Sequence, residues 1–354
     1  MTTMRVSVPD AYRPGREDHT HALRVAASLA IPGVVLLAIG RPELLVYAVF
    51  GSFAGMYGRT DRGRTRTLAQ LRGGALLCAG MVIGVTLSQA HAAGWILVIV
   101  ETTFAGAASL LADRWRLRPA GPFFAIFALG ATALVPASTV RPEIAIALGA
   151  GTALLAAAIG RIGRRTDTSP VSGHPAPAVG REQVQAARVH ALRYLLAVGG
   201  AGSIGLLFGF AHANWAMAAA AVPLAAIESG SVSSTELRMV LRRAGHRIAG
   251  TLVGLAVTAA LVPLHLGSTG LVALILLLIF PTELFMTRHY ALAIGFFTPL
   301  IMLLSELETP ADPARMIVER TLDTLLGVAV GVTVAVVVRG PRRAPTVHVV
   351  DIAR

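Results

Sequence analysis

Glu101 sits in the run Trp95-Ile96-Leu97-Val98-Ile99-Val100-Glu101-Thr102-Thr103, an acid among aliphatic residues. A charge at the centre of a bilayer costs at least about 2.5–3.5 kcal/mol on insertion scales, so an acid kept in an apolar run has work to do. It lies about 9–14 Å from the outer end of that run at 1.5 Å per residue. A carboxyl group starved of water can exchange a proton near neutral pH, as proton coupling requires. The same placement also suits a protonated or arginine-paired structural glutamate facing a neighbouring helix, and the sequence leaves both readings open.

A second group stands at the start of the last apolar run. Asp312, Arg315, Glu319, Arg320 and Asp323 follow one another there. Glu319 and Asp323 share a helix face, and Arg320 and Asp323 can pair at a spacing of three. The cluster could bind an anion through Arg320 or simply neutralise itself. Glu228 and Glu283 lie near the inner ends of their runs, at the depth of Arg193 and Arg288, so pairing across the inner boundary is the expectation. His91, His212 and His265 fall one per outer loop without ligand spacing and are expected to be solvated, so no metal site is expected. Gly200-Ala201-Gly202-Ser203-Ile204-Gly205 spells the dinucleotide fingerprint, but that motif works only where a strand turns into a helix. Here it lies inside an apolar run. No His-Glu-x-x-His, Gly-x-Ser-x-Gly or phosphate loop occurs, so neither enzymatic activity nor a cofactor is expected.

The elements that must hold these residues follow from composition. The chain has 354 residues, of which 55% are hydrophobic and only 14% charged, with a mean hydropathy of +0.67. Soluble domains carry roughly 25% charged residues. With Cys78 as the single cysteine, disulfide frameworks and cysteine-rich zinc sites are excluded. An all-α integral membrane protein is predicted. A spanning helix needs about 20 mostly apolar residues. Twelve runs qualify, at approximately 22–39, 43–57, 72–88, 92–112, 120–136, 142–160, 191–209, 214–228, 247–263, 267–284, 290–305 and 316–338. The second and eighth are short.

All 31 basic residues are arginines, and the formal net charge is +12. Positive residues are retained on the cytoplasmic side. With both termini inside, 27 of the 31 fall on inner segments, leaving only Arg41, Arg141, Arg315 and Arg320 outside. The net charge is therefore a topology signal, and no nucleic-acid partner is expected. The partners expected are the lipid bilayer of the plasma membrane and a small organic anion, and self-association stays open.

The first and seventh runs open on the same tetrapeptide, His21-Ala22-Leu23-Arg24 and His190-Ala191-Leu192-Arg193. The sixth and twelfth end on basic clusters, and Phe123-Phe124 corresponds to Phe296-Phe297. Six spans per half make a parallel repeat about an axis along the membrane normal. The expected organisation is a cytoplasmic tail over 1–20, a first transmembrane half over 21–165, a flexible linker over 166–187, a second half over 188–341 and a tail over 342–354. Glycines four apart, Gly80 with Gly84, Gly250 with Gly254, Gly51 with Gly55 and Gly327 with Gly331, mark faces where helices approach closely.

Four signatures in the second half occur in order: Asn214-Trp215-Ala216-Met217, Arg247-Ile248-Ala249-Gly250-Thr251-Leu252-Val253-Gly254, Arg288-His289-Tyr290-Ala291 and Arg320-Thr321-Leu322-Asp323-Thr324-Leu325-Leu326-Gly327. Through them, residues 188–341 resemble the fusaric acid resistance protein-like group of the aromatic acid exporter families. The resemblance implies proton-driven export of aromatic or other weak organic acids. It places weight on Trp215, Arg247, Arg288, Arg320 and Asp323. The reading is a transporter in which Glu101 or Asp323 carries the proton and Arg320 or Arg288 is the counter-charge. The competing reading is a non-transporting scaffold or accessory subunit of an envelope complex.

Overall fold

Proline and glycine set the helix ends. The structure, a computed structural model, describes residues 14–162, 181–210, 212–227, 234–308 and 312–338. Among the described residues there is no strand. Twelve α-helices follow in order: α1 (Arg16–Ala38), α2 (Leu45–Ser52), α3 (Gly63–Gln89), α4 (Gly94–Arg114), α5 (Phe123–Leu134), α6 (Pro142–Arg161), α7 (Arg181–Leu207), α8 (Ala213–Leu224), α9 (Ser234–Leu261), α10 (Ser268–Phe285), α11 (Tyr290–Glu308) and α12 (Pro313–Val337). Proline opens α6 and α12, where its missing N–H costs nothing. The Asp312 carboxylate caps α12 by accepting from the Ala314 N–H at 3.1 Å.

Nine of these helices are long and apolar enough to cross a membrane, and three apolar stretches, Pro42–Met56, Phe123–Leu134 and Ala213–Leu224, fall short. The expected fifth run, 120–136, loses its ends to Gly121, held at φ +78, and Pro122 on one side and to Pro136 on the other. The expected eighth stops at Leu224, just past Pro223. At the N-terminus α1 begins at Arg16, ahead of the boundary at residue 21, and α7 begins at Arg181, inside the stretch read as linker. Residues 163–180 of the linker region, and the C-terminal tail, lie outside the described residues.

The short helices are the interior ones. Every residue of α2 and α8 is buried, and α5 is nearly as enclosed. The long helices present their large apolar side chains outwards: Ile31 and Val34 on α1, Leu154 on α6, Val253 on α9, Leu277 on α10 and Val337 on α12 are all exposed. This inversion suits a lipid surround. A helix too short to span is tolerated at membrane depth only where protein or a cavity covers its open ends, and α2, α5 and α8 meet that condition.

The helix pairings fall into two matching sets. Within residues 16–161, α3 packs on α5 and α6, and α2 on α6; within 181–337, α9 packs on α11 and α12, and α8 on α12. Two seams join the sets, α4 against α7 and α10 against α1. Glycine faces make the close approaches. A Cβ on Gly80 of α3 would lie 2.5 Å from the Ala125 carbonyl oxygen of α5, and one on Gly254 of α9 would lie 2.9 Å from the Gly295 carbonyl oxygen of α11. Gly327 and Gly331 of α12 seat against the Ala216 and Ala220 carbonyls of α8. The fingerprint-like glycines lie in the body of α7, where Gly202 meets Met217 and Gly205 meets Ala213. They are packing contacts within a helix.

Candidate functional site

At the arginine-rich end a cavity of about 1080 Å³ opens between the two sets of helices. Arg59, Arg118, Arg242, Arg243 and Arg288 line it, with Glu236 and Glu283 as its acids. Its floor is aromatic: Phe123 and Phe124 from α5 and Phe297 from α11. These rings belong to a continuous cluster with Phe50, Phe53 and Phe127. Phe53 and Phe124 are 5.2 Å apart between centroids, Phe124 and Phe297 6.2 Å, Phe127 and Phe297 6.0 Å, and Phe50 and Phe127 5.5 Å. The phenylalanine pairs matched in the sequence thus meet at the centre of the molecule through Phe124 and Phe297. Phe296 turns away to stack on Phe285. Beyond the cluster lies a second cavity of about 200 Å³, lined by Phe50, Phe127, His212, Asn214, Trp215 and Glu308 among others.

Between the two cavities, two arginines are sealed in. Arg247 of α9 and Arg320 of α12 are each 1% exposed, and the Nε and Nη1 atoms of both have no hydrogen-bond partner. The Arg320 guanidinium stands 4.6 Å from the Trp215 ring centroid and 5.7 Å from that of Phe127, and that of Arg247 is 5.3 Å from Phe123. Guanidinium over aromatic faces gains about 0.5–2 kcal/mol, well short of the cost of burying a charge. Arg320 feels both Arg247 and Asp323 electrostatically. Asp323 is 0% exposed, and neither of its oxygens makes a hydrogen bond. Arg320 therefore stands between a second cation and a carboxylate, in a space walled by aromatic rings. An anion bearing a flat apolar body would complete this arrangement.

Glu101 of α4 is 0% exposed, with both carboxylate oxygens unpartnered. It stands apart from the arginine pair, against Gly130 of α5 and Asn214 of α8.

Other expected site residues have structural partners. Arg288 Nε donates to Asp18 Oδ2 at 2.6 Å, and Arg59 Nη2 donates to Asp18 Oδ1 at 2.7 Å. Glu283 lies 3.6 Å from His21 Nε2. Arg193 donates through Nε and Nη2 to the Val338 carbonyl at 3.0 and 2.8 Å, closing the end of α12. Its counterpart Arg24 does the same to Ile162, just past α6, at 3.0 Å. These long side chains satisfy helix-end carbonyls, a contact that spacing along the chain could not show. Glu228 lies outside the described residues.

His212 corrects the expectation of a solvated outer histidine. Its Nδ1 lies 2.7 Å from Glu319 Oε2, and its ring stacks on Trp215 at 4.3 Å. Glu319 also accepts from Arg315 Nε at 2.7 Å, so it is spoken for and Asp323 is left for Arg320. Asn214 was legible only as part of a motif, and Glu308 and Asp18 gave no signal: both acids stand at the polar margins of apolar runs.

Residues 200–334 match the fusaric acid resistance protein-like family model, within the 188–341 stretch that carries the four signatures. The chain is also similar to the uncharacterized membrane protein YvaC of Bacillus subtilis (strain 168), at 28% identity over 144 residues. That alignment takes in 40% of this chain and 22% of the relative, so the chain spans less than a quarter of the relative's length in the matched region. No solved structure matches. The chain is a multi-pass α-helical membrane protein whose second half is similar to that family.

Proposed function

We propose that the protein is a proton-driven exporter of organic anions, aromatic and other weak acids foremost, in the plasma membrane. It is read as two parallel six-helix halves with both termini cytoplasmic. The arginine count supports that orientation, and the matched helix pairings support the repeat. The arginine-lined cavity then faces the cytoplasm, where clustered positive charge raises the local concentration of anions. The observation that carries the reading is the pair Arg247 and Arg320, buried without hydrogen-bond partners against Trp215, Phe123 and Phe127.

In this reading the carboxylate of the substrate bridges the two guanidinium groups and its ring slots among the aromatic side chains. Phe123 and its neighbours screen the pair from the cytoplasmic cavity, while Phe127 and Trp215 screen it from the outer one. Rocking of the halves would open one screen at a time. Glu101 and Asp323 are the carboxylates available to carry the returning proton.

The test is efflux of a panel of aromatic and aliphatic acids from cells expressing the protein, with and without an uncoupler. Uncoupler-sensitive export of an aromatic acid is expected, lost in Arg320→Gln at equal membrane abundance. Export of aromatic acids that survives both the uncoupler and Arg320→Gln would overturn the reading.

A further inference from the structure

Four buried polar atoms stand together without partners where α4, α5 and α8 meet: both carboxylate oxygens of Glu101 and both amide atoms of Asn214. Glu101 is 0% and Asn214 1% exposed. Gly130 supplies the space between them. A Cβ at that position would lie 3.1 Å from Glu101 Oε2 and 3.1 Å from Asn214 Nδ2. Two legs of 3.1 Å through one point cap the gap between Glu101 Oε2 and Asn214 Nδ2 at 6.2 Å.

A carboxylic acid and a carboxamide can pair through two hydrogen bonds that give each of the four heavy atoms a partner. The acid O–H donates to the amide oxygen, and an amide N–H donates to the acid carbonyl. An ionised carboxylate can accept from the amide N–H, but then Asn214 Oδ1 has no donor. The four atoms therefore balance only when Glu101 carries a proton. Among the described residues Glu101 has neither a hydrogen bond nor an ion pair; the cation that meets α5 and α8 from α12 is Arg320, set against Phe127 and Trp215. Neither α5 nor α8 contains a titratable residue. On α7 all of them, Arg181, Glu182, Arg188, His190, Arg193 and Tyr194, lie in the first four turns, at the opposite end of the seam. On α3 the arginines lie in the first three turns, and Cys78 is the only other titratable group.

Asn214 also lines the 200 Å³ cavity together with His212 and Glu308, which gives that cavity a polar contact with the acid. We infer that Glu101 and Asn214 form a proton-binding acid–amide pair, loaded from the cavity shared by His212, Asn214 and Glu308. Loading moves one proton from hydronium in the cavity to a Glu101 oxygen, and unloading reverses it; no other bond changes. The use of this proton in transport and the side of the membrane from which it loads rest on the exporter reading, whereas the acid–amide pair itself does not. It also assigns the coupling role to Glu101 over Asp323, which is left to balance the arginine pair.

Dicyclohexylcarbodiimide, which reacts with protonated carboxyl groups in dry surroundings, tests the pair directly. The full-length protein in right-side-out vesicles is treated at an internal pH of about 7.5 and external pH of about 6 or 8.5, and modification of Glu101 is read by peptide mass spectrometry. Labelling of the wild type should follow the external pH. In Asn214→Ala it should fall two- to tenfold at the higher external pH, where protonation limits labelling, the equilibrium worth of one hydrogen bond of about 0.5–1.5 kcal/mol, while the variant keeps the wild-type elution profile and melting temperature. Glu101→Gln supplies the blank. Labelling that follows the internal pH, that is absent throughout, or that is the same with and without Asn214 overturns the inference. No substrate takes part, so a failure to export any acid leaves this result standing.

Discussion

At the scale of single residues, the apolar runs singled out three charged groups that the fold buries. Glu101, Arg320 and Asp323 stand out in the sequence because charge in hydrocarbon is expensive, and all three are buried. Their partners could not be read in the same way. His212 and Glu319 are 107 residues apart, and Arg288 and Asp18 are 270 apart. Pairing of that kind depends on how helices assemble, about which local spacing is silent. Arg288 illustrates the consequence: it lines the wide cavity as a counter-charge should, yet it shares Asp18 with Arg59. Asp18→Asn removes the negative charge shared by Arg59 and Arg288, so the cavity mouth becomes more positive and steady-state measurements should show a lower KM for an exported acid. The buried pair makes a separate prediction. A ligand present at 100 times its Kd stabilises by about 2.7 kcal/mol. A bound aromatic acid should therefore raise the melting temperature of the wild type by several degrees and leave Arg247→Gln and Arg320→Gln unmoved, as read by thermal unfolding in detergent.

Element by element, the sequence located the helices of the described residues, bounded the second run closely and overran α5 and α8. Hydropathy registers how apolar a stretch is, and α2, α5 and α8 are among the most apolar stretches of the chain. It does not register that prolines and glycines cut them short, nor that the surrounding long helices cover their ends. The glycine pairs, by contrast, were legible because their spacing of four reports a helix face directly. Gly80 and Gly84 face α5 and Gly250 and Gly254 face α11, so the equivalent glycines of the two halves seat equivalent helices. Any side chain there must push a backbone carbonyl away. Overpacking of this kind costs about 1–3 kcal/mol. Gly80→Val and Gly254→Val should each lower the melting temperature by several degrees, and Gly151→Ala on α6, where a Cβ would meet nothing within 4 Å, should not. Equal melting temperatures for all three variants would contradict the packing role of these faces.

For the whole molecule, the repeated tetrapeptide acquires a purpose that reaches between halves. Its arginine closes the sixth helix of its own half, Arg24 at Ile162 and Arg193 at Val338. Its histidine meets an acid near the end of the other half's fourth helix: His190 lies 2.8 Å from Asp113 on α4, and His21 lies 3.6 Å from Glu283 on α10. Asp113 and Glu283 are 170 residues apart and the histidines 169, so the two contacts are equivalent under the repeat. Each closes a seam that is packed along its length. On one side Gly94 meets Leu206, Gly106 meets Leu195 and Asp113 meets His190; on the other Gly33 meets Leu276. The aromatic cluster lies between the seams, where ring contacts such as Phe124 on Phe297 and the packing of α5 on α8 join the halves. On the exporter reading, long seams flanking this central barrier suit a molecule that would pivot about its edges and part at its middle. Cysteine pairs distinguish these regions in a Cys78→Ala background. Cross-linking Asp113→Cys to His190→Cys, or His21→Cys to Glu283→Cys, should leave most of the efflux of an exported acid intact, because the seams travel little during the cycle. Cross-linking Phe124→Cys to Phe297→Cys should stop efflux, and reduction of the link should restore it. Efflux blocked at the seams and unaffected at the cluster would place the moving surfaces at the edges and reverse the roles argued for the two regions.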